Sequence, residues 1–401
     1  MPHKIIQSLL AAALLVLTAL LIALGQAQAQ TGDEPPQSYL PIVMREHDAA
    51  WRWLPVETLT PAPNPNTGDS LLLAIDNQGQ THLLWDTLYS PRFIYHSYQA
   101  GGAWTPPAPI SETLGTSYTL YAPLRDAAGR LHLVWRTYLG SGIDTPYRLM
   151  YAVFDGASWK ASEIHRTANS GIQGMPHSDD LGGLRITYLD SSISAKPAYQ
   201  VARTSGGWSF PWPINPTQSV SLVWPDMQGG VRFYDNDYSG LLHYTHWKNG
   251  AFLINDLPAT GKVSSRQSQL DGQNNLHLFW SGTVPVPGGN VTGMHHQCFS
   301  SALAMGAEQV LSGETAITGS PRAGSDGVSR VVIAWKQNGA DLLWLTIWDG
   351  CRKVKQISAP LGVFTDWSLQ AAAISHDPRK VCVLAKKLYS SDTFALLCAE
   401  Y

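Results

Sequence analysis

Two arginines occupy corresponding positions in successive strand-like units of the chain. Arg266 and Arg322 each open the first strand of their unit, ahead of a polar turn, and Tyr121 opens the first strand of an earlier unit. A guanidinium presents a planar fork of N–H donors that fits a carboxylate. Two such groups on neighbouring units would bind one carboxylate of a ligand. The pattern therefore indicates a candidate anion site.

A second set of polar residues follows the aromatic residue at the end of each second strand. It consists of Asp86, Arg136, Asp190, Asp235, Asp237 and Lys336. We expect these residues in the loops between second and third strands, where a rigid scaffold commonly presents functional side chains. All six are candidate ligand-binding residues. Solvated loop charges are the alternative interpretation.

The aromatic residues that precede these charges also recur. They are Trp85, Trp135, Tyr188, Tyr234, Trp280 and Trp335. Each alternates with aliphatic neighbours, which favours packing between sheets. Stacking of some rings on sugar faces remains open.

Three histidines occupy one repeated strand position, at His82, His132 and His277. Equivalent positions of separate units cannot converge on one metal ion, so we expect each imidazole to form a hydrogen bond within its own unit. The adjacent His295 and His296 should point to opposite strand faces. The segment 235–237 is oxygen-rich but short of a full Ca²⁺ ligand set. We predict no metal and no cofactor.

Common catalytic motifs are absent from the sequence. It contains no GxSxG elbow, HExxH helix, P-loop or GxGxxG loop. Lys+Arg total 27 against Asp+Glu 30, so no basic field would attract nucleic acid or an anionic membrane. The sequence alone leaves open whether the protein is an enzyme.

These residues are positioned by a repeated unit. Segments 76–85, 126–135 and 271–280 are near-copies, each with an Asp-led turn and a strand that ends in Trp. Related turn markers are Asp76, Asp126, Asp180, Asp226, Asp271, Asp326 and Asp377, at spacings between 45 and 55 residues. This period predicts an all-β chain, a seven-bladed β-propeller of four-stranded antiparallel blades. The seventh unit lacks a fourth strand, and the segment 51–59 should supply it and close the ring.

The chain ends differ from the repeats. A basic n-region, an apolar run and a small-residue cleavage site predict a signal peptide at 1–29, with an uncleaved anchor as the alternative. We assign 30–44 to a linker and 45–401 to the propeller. The expected protein is secreted, monomeric and free of the membrane after cleavage.

Export also affects the cysteines. An oxidising compartment favours disulfides. Cys382 and Cys398 lie at mirror positions of a predicted hairpin, so we pair them. Cys298 and Cys351 then pair by exclusion.

The repeats resemble the sialidase-like superfamily of secreted β-propellers over 50–401. The segment Phe154 to Trp159 resembles that family's Asp-box, with one residue fewer between Asp and Gly. In sialidases, arginines hold the sugar carboxylate beside a Tyr–Glu nucleophile. Arg266 and Arg322 correspond in general placement, whereas the family's Phe-Arg-Ile-Pro motif is missing and Tyr121 has no assignable Glu.

We therefore expect the protein to bind carbohydrate or another extracellular or cell-surface ligand at the channel mouth. A sialidase-like glycoside hydrolase and a protein-interaction scaffold are the alternatives. Convergent Arg, Tyr and carboxylate groups in one deep pocket would favour the hydrolase, and a flat apolar patch would favour the scaffold.

Overall fold

The structure is a computed structural model of the chain. It describes residues 51–59, 67–87, 93–110, 117–121, 123–126, 128–138, 146–167, 172–178, 183–190, 198–215, 223–225, 231–236, 242–248, 251–256, 265–302, 304–312, 316–338, 342–360, 367–375, 379–387 and 393–400. All of these residues belong to one structural unit, Asp48–Tyr401. The predicted signal peptide (1–29) and linker (30–44) lie outside the described residues. Within the described ranges, no helix has the length and apolarity needed to cross a membrane.

The described residues form seven antiparallel sheets, preceded by two short strands. The two N-terminal strands are β1 (Arg52–Trp53) and β2 (Glu57–Leu59). The first sheet contains β3 (Thr67–Ile75), β4 (Thr81–Thr87), β5 (Ile94–Ala100), β6 (Ala103–Trp104) and β7 (Ala108–Pro109). The second contains β8 (Ser117–Leu120), β9 (Leu124–Arg125), β10 (Leu131–Tyr138), β11 (Tyr147–Phe154) and β12 (Trp159–Thr167). The third contains β13 (Ile172–Ser178), β14 (Leu184–Asp190), β15 (Ala198–Thr204), β16 (Gly207–Trp208) and β17 (Trp212–Asn215).

The remaining sheets follow the same order along the chain. The fourth contains β18 (Val223–Pro225), β19 (Val231–Asn236), β20 (Leu242–Lys248) and β21 (Ala251–Asp256). The fifth contains β22 (Ser265–Leu270), β23 (Leu276–Val286), β24 (Gly289–Phe299) and β25 (Gln309–Val310). The sixth contains β26 (Ile317–Ser325), β27 (Arg330–Gln337), β28 (Leu342–Asp349) and β29 (Arg352–Pro360). The seventh contains β30 (Trp367–Ser375), β31 (Lys380–Lys387) and β32 (Phe394–Glu400).

Prolines account for the sheets whose strands are broken in two. Pro106 and Pro107 separate β6 from β7, Pro123 separates β8 from β9, and Pro211 separates β16 from β17. Pro55 separates β1 from β2 in the same way. Proline cannot donate to the ladder, so a strand is interrupted where it occurs. The repeated unit therefore remains four-stranded, with some strands in two pieces.

The N-terminal segment joins the last sheet, as the sequence predicted. Arg52 pairs with Glu400, and Leu59 pairs with Phe394, so β1 and β2 both lie antiparallel to β32. Residues near the two ends of the sheet region thereby share one sheet. The seventh sheet also packs against the first, where Trp85 and Phe394 belong to the same buried cluster.

The turn between the first two strands is built by the predicted aspartates. Asp76 accepts backbone N–H groups of Gln78 and Gln80, and Asp326 accepts those of three residues that follow it. In the first and fifth sheets this turn has a left-handed backbone at its fourth position. Gly79 supplies it with φ 76°, and Asn274 supplies it in the fifth sheet with φ 63°. Asp180, Asp226 and Asp377 lie outside the described residues.

The predicted packing role of the second-strand aromatics is confirmed where their side chains are described. Trp85, Trp135, Tyr188, Trp280 and Trp335 are all buried. The side chain of Tyr234 lies outside the description. Clusters of apolar side chains span neighbouring sheets; Leu84 of the first sheet packs with Leu133 and Trp135 of the second. The core is thus divided among sheet-to-sheet interfaces.

Both predicted disulfides are present. Cys382–Cys398 joins two directly paired residues of β31 and β32, with Cα atoms 4.1 Å apart. Cys298–Cys351 joins β24 of the fifth sheet to the turn before β29 of the sixth, with Cα atoms 5.5 Å apart. The described residues contain no free cysteine.

Candidate functional site

A polar and aromatic cluster lies on the face of the second sheet that is turned toward the third. Val134 and Leu149 pack there with Ile186 and Tyr188 of the third sheet. Side chains two residues apart share a strand face, so residues 136, 138 and 147 lie on the same face nearer the strand ends. The cluster consists of Thr119, Tyr121, Arg136, Tyr138 and Tyr147. We call it the Arg136 cluster.

Arg136 is at the centre of this cluster. Its Nη2 donates to Thr119 Oγ1 at 3.0 Å, and its guanidinium carbon lies 5.5 Å from the centre of the Tyr147 ring. The rings of Tyr138 and Tyr147 are paired with centroids 4.8 Å apart and planes inclined by 34°. Arg136, Tyr138 and Tyr147 are each half-buried. The arrangement offers a cation and aromatic surface together at one partly exposed place.

Tyr121 supplies a phenol to the same cluster. Burial raises the pKa of Tyr121 to about 12, and the nearby Arg136 charge opposes this shift. The phenol therefore keeps its proton at neutral pH. It serves as a hydrogen-bonding group and not as a ready base.

Asp190 and His165 form the adjoining contact between the second and third sheets. His165 Nε2 lies 3.8 Å from Asp190 Oδ2, and the Thr167 hydroxyl donates to Asp190 Oδ1 at 3.4 Å. The imidazole also lies against Tyr188, with ring centroids 5.0 Å apart. Asp190 is buried, so it joins the two sheets from inside their interface.

The prediction that the polar candidates lie in loops is wrong for each candidate whose backbone the structure describes. Asp86, Arg136, Asp190, Asp235 and Lys336 all lie inside second strands. These ladders continue past the aromatic residue, because the next strand still pairs with them. The pairs are Asp86 with Ile94, Arg136 with Leu149 and Lys336 with Leu343. Asp237 lies outside the described residues, and the side chain of Asp235 is not described.

Asp86 of the first sheet and Lys336 of the sixth occupy the strand position that Arg136 has in the second, but their surroundings differ. Asp86 is 1% exposed and lies within the packed sheets. Lys336 Nζ donates to the carbonyl oxygen of Trp367 at 2.9 Å, beside an apolar cavity lined by Leu343, Leu369 and Val383. Lys336 therefore links the sixth sheet to the seventh. Of these three side chains, Arg136 is the one whose charged group lies over a half-buried tyrosine ring.

The structure describes the side chain of only one arginine of the predicted pair, so it does not show the two guanidinium groups together. Arg266 lies in β22 opposite Trp280, and its side chain is outside the description. Arg322 lies in β26, where Nη1 donates to the Pro321 carbonyl at 3.3 Å. Burial lowers the pKa of Arg322 from its usual value. A shared carboxylate site for these two arginines stays a prediction.

The repeated histidines form hydrogen bonds within their own sheets, as predicted. His82 Nδ1 is 2.9 Å from His96 Nε2, and His277 Nδ1 is 3.1 Å from His296 Nε2. His132 Nδ1 is 2.8 Å from the Tyr151 hydroxyl. The third-strand partners were missed, although two of them follow their histidines by the same 19 residues.

Two of the turn aspartates lie beside these histidines. Asp76 Oδ2 is 3.3 Å from His82 Nε2, and Asp126 Oδ2 is 3.0 Å from His132 Nε2. Burial lowers the pKa of His96 to about 3, with a smaller contribution from His82. Burial also holds the pKa of His296 well below its ordinary value. Both imidazoles are neutral at pH 7, and no cluster of three metal-ligating residues occurs in the described part of the chain.

The sequence predicted Arg136 and Tyr121 as binding residues, but it did not predict the other three members of the cluster. Tyr138 and Tyr147 join Arg136 through strand alternation, and Thr119 joins it through the register of β8 against β10. The i, i+2 spacing of Arg136 and Tyr138 was a usable signal. The register between strands was not visible in the sequence.

Comparisons with known proteins give no family assignment. The sequence matches no protein-family model and no curated protein. Among solved structures it is similar to a polysaccharide lyase family 25 ulvan lyase, at 10% identity and TM-score 0.49, over 85% of this chain and 95% of that one. It is similar to the β-propeller domain of the Trilobed protease from Pyrococcus furiosus, at 11% identity and TM-score 0.41, over 67% and 79% of the two chains. It is also similar to the NanB sialidase from Streptococcus pneumoniae, at 12% identity and TM-score 0.39, over 85% and 69%. At such identities no functional residue transfers to this chain.

Proposed function

We propose that the protein is an exported seven-bladed β-propeller that binds carbohydrate at the Arg136 cluster. The seven sheets, taken as blades, support this architecture. Contacts between first strands link the first and second, the fifth and sixth, and the sixth and seventh sheets. β3 also contacts β30 of the seventh sheet. Together with the pairing of β1 and β2 on β32, these contacts support a closed ring.

Export is supported by the cysteines and by the sequence at the N-terminus. Both disulfides suit an oxidising compartment. The segment 1–29 has the composition of a signal peptide. The ligand is therefore expected to be extracellular.

The observation that carries the binding proposal is the arrangement of Arg136 beside the paired rings of Tyr138 and Tyr147. A sugar presents an apolar face of C–H groups and a rim of hydroxyls. Half-buried tyrosine rings offer a surface for the face, and their hydroxyls offer partners for the rim. Arg136, Thr119 and Tyr121 add polar groups that would orient the ring.

The test is retention of residues 30–401 on a broad panel of glycans and polysaccharides, with each spot also scored for cleavage. Tyr147→Ala and Arg136→Ala should each weaken binding by about 10-fold or more, which corresponds to about 1.4 kcal/mol. Lys336→Met is the matched control, because Lys336 has the corresponding strand position but contacts Trp367. It should bind as the wild type does.

Two results would contradict the proposal. Retention on no glycan would remove the carbohydrate function. Equal loss in the Lys336 control would mean that the variants act through folding. Cleavage of a retained glycan would make the protein an enzyme acting at this surface.

A further inference from the structure

We propose that the outer strand of the sixth sheet binds a linear polyol-phosphate polymer outside the cell. The binding surface is the segment 352–355 at the start of β29, which we call the basic strip. This inference goes beyond the proposed carbohydrate binding, because it concerns a different sheet from the Arg136 cluster. It starts from three cations, Arg352, Lys353 and Lys355, within four successive residues.

The basic strip lies on an exposed and well-anchored strand. Arg352 and Lys353 are exposed, and Lys355 is half-buried. β29 is the last strand in the order of its sheet, so its outer edge pairs with no other strand in the described part of the chain. Cys351, directly before the strip, is bonded to Cys298 of the fifth sheet, which fixes the start of the strand. The cations are therefore held on a rigid scaffold.

Two of these cations have no ion-pair partner within the described ranges. Arg352 is paired in register with Asp349 of β28. That carboxylate already accepts the Ser329 hydroxyl at 2.6 Å and lies 3.9 Å from Arg330 Nε. No described carboxylate lies within ion-pair distance of Arg352 or Lys353. Both charges are thus available to a ligand.

The outer strand of the second sheet provides a comparison. Cations on an edge strand also discourage pairing with other chains, which is the alternative explanation of the strip. On β12, however, Lys160 lies 2.8 Å from Asp155, and Arg166 lies 3.0 Å from Glu163. Protection of an edge therefore does not require unpaired charge. The unpaired cations of β29 indicate a negatively charged partner.

The composition of the strand selects the kind of anion. β29 contains no aromatic residue, so it offers no ring on which a base or a sugar face could stack. Two of the three cations are lysines, which bind phosphate as point charges, whereas a planar carboxylate is matched better by the fork of arginine. A polyol phosphate carries charged diesters without bases or sugar rings in its backbone. Because Lys+Arg total 27 against Asp+Glu 30 in the whole chain, the attraction is confined to the strip.

The experiment measures the binding of fluorescent poly(glycerol phosphate) to residues 30–401 by anisotropy. Polyglycerol of the same length without phosphate is the ligand control and should not bind. Affinity for the phosphate polymer should fall about 10-fold between 50 and 200 mM NaCl, because two or three neutralised phosphates release their counterions.

The variants assign this binding to the basic strip. Arg352→Gln/Lys353→Gln should weaken binding by about 10-fold, whereas Arg352→Lys/Lys353→Arg keeps both charges and should bind as the wild type does. Lys160→Gln/Arg166→Gln is the matched control, because it removes the same charge from paired cations of β12. It should change the affinity by less than about 2-fold. Urea unfolding of each variant verifies that it is folded.

Three results would overturn the inference. They are no binding of the phosphate polymer at 50 mM NaCl, an equal loss of affinity in the β12 control, and unchanged affinity in a folded Arg352→Gln/Lys353→Gln protein. Tighter binding of dextran sulfate or single-stranded DNA with the same number of charges would also overturn it, because the strip would then not select a polyol phosphate.

The carbohydrate proposal is tested independently of this one. Arg136→Ala should weaken glycan binding but leave the affinity for poly(glycerol phosphate) unchanged. A loss of polymer binding in this variant would place the polymer at the Arg136 cluster and overturn the inference. Failure of every glycan to bind would remove the carbohydrate function and leave the basic strip unaffected.

Discussion

The carboxylate of Glu57 accepts a hydrogen bond from the indole N–H of Trp104. A second bond reaches Glu57 from the side-chain amide of Gln99 at 2.8 Å. Glu57 lies in β2, which pairs with the last strand of the seventh sheet, whereas Trp104 and Gln99 belong to the first sheet. One side chain thus ties the added N-terminal strand to the neighbouring sheet.

Glu57→Ala should lower the free energy of unfolding by about 2 kcal/mol, because two donors lose a charged acceptor in a half-buried place. Urea denaturation of residues 30–401 measures this loss. Arg52→Ala is the control on the adjoining strand. The Arg52–Glu400 pair is exposed, with side-chain exposures of 77% and 42%, so its loss should cost less than about 0.5 kcal/mol. Equal effects of the two substitutions would contradict the linking role of Glu57.

Gly324 marks a close approach between the sixth and seventh sheets. A Cβ atom added there would lie 2.2 Å from the Ala372 carbonyl oxygen, which belongs to β30. Gly324→Ala should therefore force the sheets apart and cost about 2 kcal/mol or more. Thermal and urea unfolding measure the effect.

Gly206 provides the comparison for this substitution. A Cβ atom there would meet no atom within 4 Å. Gly206→Ala should change the unfolding free energy by less than about 0.5 kcal/mol. A Gly324 variant as stable as the Gly206 variant would show that β26 and β30 can separate without cost.

The sequence predicted the repeat well because the unit is encoded locally. An Asp at the turn and alternating apolar residues appear in each copy, and they specify short-range pairing. Strand lengths were less predictable. Asp86 and Arg136 follow a bulky aromatic and resemble loop residues, yet backbone pairing with the third strand keeps both in the ladder.

The candidate site was harder to predict because it depends on contacts between strands. Arg136 and Tyr121 were selected by type and position. Thr119 became a neighbour of Arg136 through the β8–β10 register, and Tyr147 through the β10–β11 register. The sequence alone does not fix these registers, because each depends on how two whole strands align with one another.

Stability should fall as the pH is lowered from 6.5 toward 4.5. Burial lowers the pKa of His96 to about 3, whereas the unfolded chain titrates near the ordinary value of 6.5. Below pH 6.5 the unfolded chain therefore binds a proton that the folded protein does not accept. The stabilisation by the neutral imidazole is full above pH 6.5 and is lost progressively as the pH falls, by up to about 1.4 kcal/mol per pH unit for one such group.

His96→Gln should flatten this dependence when unfolding free energies are measured between pH 4.5 and 6.5. Gln has no titrating group but can still form a hydrogen bond with His82. The turn carboxylates are expected to act at lower pH: despite opposing burial, hydrogen bonds from His82 and the backbone lower the pKa of Asp76 from 3.8. Wild-type and His96→Gln curves that run parallel over this range would contradict the assignment.

The two disulfides should contribute unequally to stability. Cys298–Cys351 spans 53 residues and joins two sheets, whereas Cys382–Cys398 spans 16 residues within one hairpin. In the chain-entropy description a longer closed loop restricts the unfolded chain more, which gives about 4 kcal/mol for the first bond and about 3 kcal/mol for the second. Urea unfolding of Cys298→Ala/Cys351→Ala should show the loss of the longer bond, after peptide mapping without reductant has verified the other. A loss of less than about 1 kcal/mol would mean that the fifth and sixth sheets already hold together in the unfolded ensemble, or that this covalent bond does not form.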